Sequence, residues 1–415
     1  MSRAGSTRYV LLAFEGPDLY SRVGGLASRV NGLAPALAQR GYETTLDFVG
    51  DPTSSEEEQW EGVTLHRLLQ PLSEHYPGHA YDGEEEKIRA LEITWPKRML
   101  DQFLIPAKAE DGHVVILAED WQTVPAVIAL SDLAWAQGLR NHMTLLWNAN
   151  NPFGFHRIDW PRLNFVANLT TVSRWMKHLM WPLGVNPVVM PNGLADEAFR
   201  MISPRRSLAL KQALPCDLLL VKIGRYDPDK RWEMAIRSLA AARAIGMNAR
   251  LIARGGHESY RDRLRSLAQE LGLTWAVVAY DSAWPESLET VTETIIEVEN
   301  FLPVDEVQVL YQTADAVLAN SGREPFGLVG LEVMAAGGLA VIGTTGEDYG
   351  RAYGNAVVSE TDDPQEIVHH LRAIAETGYQ ERIRREGQRT AENYRWSTLM
   401  PMFESYVDYF RQGTK

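Results

Sequence analysis

The chain contains one cysteine, Cys216. A single thiol cannot close an intramolecular disulfide or supply a cysteine-rich zinc site, and such usage suits a reducing compartment. Positive charge is scarce as well: 41 Lys and Arg stand against 54 Asp and Glu, a formal net charge of −13. That balance argues against nucleic acid or an anionic membrane as the main partner, while leaving room for a local basic pocket. No run of about 18 apolar residues occurs, so no transmembrane segment is expected. The N-terminal MSRAGSTRYVLLAFEG does not read as a signal peptide, because its apolar run is short and leads straight into a strand-like segment. These absences predict a soluble, cytoplasmic protein. What is present is ordinary: 45% hydrophobic and 23% charged residues in a chain of 415. Such a chain is globular and too long for one simple core, so two domains are expected.

Two parts of the chain share one grammar. The first opens with the strand-like run Tyr9-VLLAFEG and a polar loop holding Arg22-Val-Gly-Gly-Leu26. A helical pattern follows, closed by Gly41-Tyr42, and then a second strand from Thr44. The second opens at Leu218-LLVKIG, passes through the loop Arg225-Tyr-Asp-Pro-Asp-Lys230, and continues as the helix WEMAIRSLAAARAI. Gly246-Met247 closes it before the strand at Ala249. Strand, polar loop, helix, glycine stop and strand make the βαβ unit that builds parallel sheets. The expected fold class is α/β with two Rossmann-like, doubly wound domains. Further strands are read at His113-VVILAED, Met143-TLLWNAN, Asn168-LTTVS, Ala314-DAVLANS and Gly338-LAVIGT. The expected domains are 1–194, completed by an aromatic C-terminal helix over 395–415, and 195–394. Residues 51–110 begin acidic and irregular (SSEEEQWEG, then DGEEEK) and read as a variable surface excursion.

Ligands of open α/β sheets bind beyond the carboxyl ends of the strands. Three loops are placed there. The first exposes backbone N–H groups at Gly24 and Gly25, since glycine lets the chain approach an anion closely. The second offers Arg225 and Lys230, enough to clamp a diphosphate from two sides. The third, Asn320 to Gly327, leads into a helix whose free N–H groups and positive end serve the same site. It also holds a puzzle: Glu324 and Glu332 lie eight positions apart in the apolar, glycine-rich NSGREPFGLVGLEVMAAGGLAVIGT. Carboxylates in such a run are costly unless a partner satisfies them, and each can accept two hydroxyl hydrogen bonds. Glu324 is expected in the loop and Glu332 on the helix face nearest the strand ends, both facing a hydroxyl-rich ligand.

Glu-x7-Glu with Pro-Phe-Gly after the first Glu resembles the signature of retaining nucleotide-sugar glycosyltransferases of family 4, which have the GT-B fold. The likeness runs along most of the chain. Arg22-Val-Gly-Gly-Leu and the helix after it resemble that family's N-terminal glycine loop and first helix, and also the Lys-x-Gly-Gly-Leu loop of glycogen synthases. Gly224-Arg225 with Pro228-Asp-Lys230 is similar to the family's diphosphate-binding pair. Met190-Pro-Asn-Gly-Leu resembles the crossing into the C-terminal domain, and the terminal Trp-containing helix resembles the one that returns to the N-terminal domain. The resemblance implies two domains facing each other across a cleft, the first on the acceptor side and the second binding the nucleotide sugar. It implies that Glu324 meets the donor sugar, that Glu332 holds the ribose, and that Arg225 and Lys230 neutralise the leaving diphosphate. Gly24 and Gly25 would approach the phosphates, and backbone N–H groups from Phe326 through Gly327 to Leu328 would complete the donor site.

One departure stands out. Many relatives place a histidine where this chain reads Trp147, followed by Asn148; Asn148, Asn150 or His156 would then supply the missing sugar contact. Glu119-Asp120-Trp121 resembles the His-Asp-Trp segment of glycogen synthases with Glu119 in place of histidine. Asp227-Pro-Asp229 reads as a turn before a helix rather than a metal site, and no metal or cofactor is expected. Ile93-Thr-Trp-Pro-Lys-Arg-Met reads as a folded surface helix rather than a membrane anchor. The expected activity is transfer of a hexose, with retention and without a metal, from a nucleotide diphosphate sugar to an acceptor hydroxyl. The alternatives are a GT-B-fold nucleotide-sugar epimerase, or an inactive sugar-nucleotide-binding protein. A nicotinamide enzyme is disfavoured because neither glycine loop reads Gly-x-Gly-x-x-Gly.

Overall fold

Continuous apolar runs form the central strands of two parallel sheets in this computed structural model, because a parallel strand covered on both faces has no polar side to alternate with. Residues 7–256, 259–345 and 349–413 are described; the first six residues of the N-terminal stretch discussed above lie outside them. The chain divides into two compact units, one comprising Met1–Gly193 and Trp396–Lys415, the other Leu194–Arg395.

The first unit holds β1 (Thr7–Ala13), β2 (Glu43–Val49), β3 (Glu57–Trp60), β4 (Val63–Leu68), β5 (His113–Glu119), β6 (Met143–Ala149), β7 (Asn168–Thr171) and β8 (Val188–Val189). They form one sheet in the order β3-β4-β2-β1-β5-β6-β7-β8. All neighbours run parallel except β3, which pairs antiparallel with β4 at the edge. Leu11 on β1 stands between Leu46 on β2 and Leu117 on β5. The strand order reverses between β1 and β5, so this is the sheet's switch point. The Gly25–Gln39 helix and the C-terminal Trp396–Gln412 helix cover one face, burying Leu33 and Leu37 with Trp396, Phe403 and Val407. The Trp396 ring lies so close to Gly32 and Gly193 that a Cβ at either would fall 2.2 or 2.4 Å from it.

The second unit holds β9 (Leu218–Ile223), β10 (Ala249–Arg254), β11 (Trp275–Val278), β12 (Ile295–Val298), β13 (Ala316–Glu324), β14 (Ala340–Thr345) and β15 (Val357–Val358). Their order is β11-β12-β10-β9-β13-β14-β15, parallel throughout. Here the switch point lies between β9 and β13, which pair through Leu220 and Val221. The Trp232–Ala244 helix packs on this sheet and buries Trp232, Ile236 and Leu239.

Residues 51–110 differ from the surface excursion expected of them. SSEEEQW contributes the edge strand β3, whose Glu58 carboxylate accepts from Arg67 at 2.8 Å. DGEEEK opens the Glu84–Met99 helix, placing three glutamates in its first turn, where the helix dipole favours them. That helix is part of the fold: Trp95 is buried and donates to Asp47 Oδ2 at 2.7 Å, while Ile93 faces solvent. Among the described residues, no helix is long and apolar enough to cross a membrane.

Candidate functional site

At the second unit's switch point, β9 ends at Ile223 and the chain turns through Gly224 to Lys230. Asp227 caps this turn, accepting from Asp229 N–H at 2.9 Å, so Asp227-Pro-Asp229 is the helix-start turn its residue types suggest. Arg225 is exposed, and its carbonyl accepts from Trp232 Nε1 at 2.7 Å, which pins the loop to the following helix. Lys230 reaches across the switch point and pairs with Glu324 Oε1. Glu324 is the last residue of β13 rather than a loop residue. The sequence therefore placed it one element late, because the irregular register of β13 between Ala319 and Arg323 breaks the apolar pattern before the strand ends.

Phe326 is buried, its ring meeting those of Tyr349 and Tyr394 at 6.3 and 6.0 Å. Gly327 turns the chain into the Leu328–Ala335 helix with φ at +95°, a conformation that favours glycine. Its carbonyl accepts from Tyr349 Oη at 2.6 Å, and a Cβ there would lie 2.7 Å from Thr345 Cγ2. Glu332 lies one turn into this helix and is half-buried. Burial, and then the negative charge of Glu324, push its carboxyl up to about 7. The two glutamates of the motif thus share one electrostatic environment. Lys230 neutralises one of them, and the other resists ionisation.

The first unit's switch point is acidic and tightly hydrogen bonded. Glu15 follows β1 and is buried; its Oε2 accepts from Gly24 N–H at 2.8 Å and Ala27 N–H at 2.9 Å. The Gly24 N–H is therefore not bare, as the sequence reading had it, but is held by a carboxylate at the start of the Gly25–Gln39 helix. Gly25 remains exposed on the same turn. Tyr81 Oη donates to the other oxygen of Glu15 at 2.7 Å. At the end of β5, Glu119 pairs with Arg29 Nε at 3.0 Å, both side chains buried. The second oxygen of Glu119 accepts from Asn148 Nδ2 at 2.8 Å and Asn150 Nδ2 at 2.7 Å.

Asp120 has φ +62° and ψ 168°, a backbone region costly for any residue but glycine. Its carboxylate accepts from Asn150 N–H and Asn151 Nδ2, each at 2.8 Å. Burial is the main reason its carboxyl rises to about 7, against the lowering effect of the Asn150 N–H.

Of the three candidates for a sugar contact, Asn148 is occupied: it gives its amide to Glu119, and its Oδ1 accepts from Thr170 Oγ1 at 2.9 Å. Asn150 keeps a buried Oδ1 with no hydrogen-bond partner. His156 is exposed on the short turn Phe155–Arg157. Trp147 is buried, stacks edge-on against Trp160 at 5.8 Å and donates to the Asp120 carbonyl at 3.0 Å. Sequence reasoning missed Glu15, Arg29 and Lys222. The visible signal for Glu15 and Lys222 was a charged residue at the carboxyl end of an apolar strand.

Comparison with known proteins gives this geometry a context. A family model described as Glycosyl transferases group 1 matches residues 287–390, which include Glu324, Phe326, Gly327, Leu328 and Glu332. The chain is 25% identical over 402 residues to an uncharacterized glycosyltransferase of Methanocaldococcus jannaschii, covering 91% of this chain and 92% of that protein. It is 29% identical over 214 residues to the GDP-mannose-dependent alpha-(1-6)-phosphatidylinositol dimannoside mannosyltransferase of Mycobacterium tuberculosis; that match covers 51% of this chain and 49% of the relative. In structure it is similar to the catalytic domain of starch synthase IV from Arabidopsis thaliana, bound to ADP and acarbose. The TM-score is 0.73 at 14% identity, over 98% of this chain and 100% of that one. The fold is thus of GT-B type, built from two Rossmann-like α/β units, and the second unit carries a glycosyl transferases group 1 domain.

Proposed function

We propose that the protein is a retaining glycosyltransferase that moves a hexose from a nucleotide diphosphate sugar to an acceptor hydroxyl. The observation that carries this reading is the Lys230–Glu324 pair at the β9–β13 switch point, with half-buried Glu332 eight residues on. A cation in the turn after β9, a carboxylate at the end of β13 and a second one in the helix that follows suit a ligand with phosphates at its centre and hydroxyls on both sides. In this reading Leu194–Arg395 binds the nucleotide sugar and Met1–Gly193 serves the acceptor.

When the donor binds, its diphosphate takes Lys230, and Arg225 meets it from the exposed side of the loop. Their positive charge stabilises the phosphate oxygen as the bond to the anomeric carbon breaks, so the leaving group needs no metal for neutralisation. Glu324, released from Lys230, accepts hydrogen bonds from the sugar and supports positive charge at the anomeric centre. Glu332 accepts from the ribose, and the N–H groups from Phe326 to Leu328 complete the donor site. The leaving phosphate takes the acceptor's proton on the same face, which retains configuration. On the acceptor side, the free Oδ1 of Asn150 and the carboxylate of Asp120 supply hydrogen-bond acceptors for a hydroxyl.

The likeness to a GDP-mannose-dependent enzyme makes GDP-mannose the first donor to test, beside UDP- and ADP-sugars. A donor at about 100 times its dissociation constant adds about 2.7 kcal/mol of apparent stability, which a thermal-shift screen detects. The product formed with an acceptor panel is then analysed for anomeric configuration. An inverted product would overturn retention; an epimerised donor in the absence of acceptor would overturn transfer itself.

A further inference from the structure

Lys222 takes no part in the reading above. It lies on β9, two residues before Gly224, and is 2% exposed. Its Nζ donates to the Leu318 carbonyl at 2.9 Å and to Asn320 Oδ1 at 2.7 Å, both on β13, and lies 5.2 Å from the centre of the Trp232 ring. None of these partners is an anion, and among the described residues Lys222 has no ion pair. The charged groups facing it are Lys230 and Arg231 from the loop after β9 and Glu324 from β13. Glu324 is already engaged by Lys230, and Arg231 pairs with Asp362 and donates to the Thr361 carbonyl at 3.1 Å. Nearby, Asn320 Nδ2 is a buried donor with no acceptor. With Lys230 and Arg231 both paired, the floor of the switch point keeps, among the described residues, a lysine that has no counter-ion and an amide donor that has no acceptor.

A buried, unpaired ammonium is expelled from its charged form. Burial first, and then the like charge of Lys230, lower the Lys222 ammonium to about 7. The neutral amine keeps two N–H groups, the number that Leu318 and Asn320 accept, so losing the proton breaks neither hydrogen bond.

We propose that a diphosphate bound at the Arg225–Lys230 loop is matched by uptake of one proton from solvent at Lys222 Nζ. Lys222 is then a third cation of the loaded site and a neutral amine in the empty one. It acts as a positioning residue, through its field on the diphosphate and on the Lys230–Glu324 pair, without touching the ligand. No bond of the ligand forms or breaks in this step. The inference rests on the diphosphate reading of the site.

Calorimetric titration of the full chain with UDP, ADP and GDP, in buffers of different ionisation enthalpy, counts the protons taken up. Near pH 8 the nucleotide is fully ionised, so uptake comes from the protein. The expected result is uptake approaching one proton per diphosphate, with affinity falling toward about tenfold per pH unit above the Lys222 midpoint. Lys222→Gln keeps two N–H donors and cannot titrate; it should bind with no such uptake and no such slope. Glu332 also titrates in this region, so Glu332→Gln is measured in parallel and should retain the uptake. Wild-type binding without proton uptake overturns the role of Lys222 and leaves the diphosphate reading standing, even if Lys222→Gln fails to fold. Uptake that persists in Lys222→Gln overturns it as well. If no nucleoside diphosphate binds the wild-type chain at any pH, both the site reading and this inference fall.

Discussion

Lys230, in the turn after β9, and Glu324, the last residue of β13, pair directly across the point where the second sheet reverses its strand order. Each is the other's counter-ion. In the proposed reading, a diphosphate competes for the lysine and a sugar hydroxyl then finds the carboxylate free, so that substrate binding would exchange one partner for another at both residues.

This exchange predicts coupled effects. Glu324→Gln should lower kcat at least ~100-fold, as loss of a preorganised electrostatic group does, with a smaller change in donor KM. Lys230→Met should raise donor KM and lower kcat together. Because the two residues are in contact, the double variant should be less impaired than the product of the singles. Steady-state kinetics over the four proteins checks this; strictly multiplicative losses would mean that the pair does not act as a unit.

Glu332 sets a second expectation, with a sign that depends on pH. Its carboxyl is raised from 4.5 to about 7 in the folded protein, so the folded state holds this proton more tightly than the unfolded one. Wild-type stability is therefore lost as pH rises from about 4.5 through 7. Glu332→Gln removes that loss and should melt about 2 °C or more above wild type near pH 8, the gap closing near pH 4. The same variant should raise donor KM if Glu332 holds the ribose as proposed, since ribose hydroxyls are unchanged between ground and transition state. Thermal melts across pH, paired with donor kinetics, separate the two effects.

Arg29 and Glu119 form an ion pair whose side chains are 1% and 0% exposed. Arg29→Met leaves the carboxylate buried without its cation, and breaking such a pair costs about 3–5 kcal/mol. The urea midpoint should fall accordingly. Asn148 and Asn150, which donate to the same carboxylate, soften the loss without replacing the charge. A midpoint unchanged from wild type would show that Glu119 had found another cation or a proton.

Gly327→Ala tests the turn into the Leu328–Ala335 helix. A side chain there is strained by φ +95° and meets Thr345 and Tyr349 at 2.7 and 2.9 Å. A cost of about 1–3 kcal/mol is expected, together with weaker donor binding, because the helix start carries the N–H groups assigned to the donor. Stability and donor affinity measured on one sample check both.

Much of the architecture was legible from the chain alone. Strands such as Val10–Ala13, Val114–Ala118 and Leu218–Val221 are apolar throughout because both their faces are covered. The glycine stops at Gly41 and Gly246 have φ +87° and +89°, the left-handed conformation that ends a helix. Glu57–Trp60 was not legible, because an edge strand that faces water carries glutamates where a central one carries valine. The two-glutamate motif was likewise visible as carboxylates in an apolar run, and its neighbourhood was not. Residues 9 to 163 positions apart hold the polar groups together: Glu15 to Gly24, Arg29 to Glu119, Arg29 to Asn192. Local sequence determines periodicity, turns and caps, since these depend on neighbours in the chain. Which carboxylate receives a cation, which receives a helix N-terminus, and which is pushed toward neutrality depend on charges brought near by folding, and only the tertiary structure decided them.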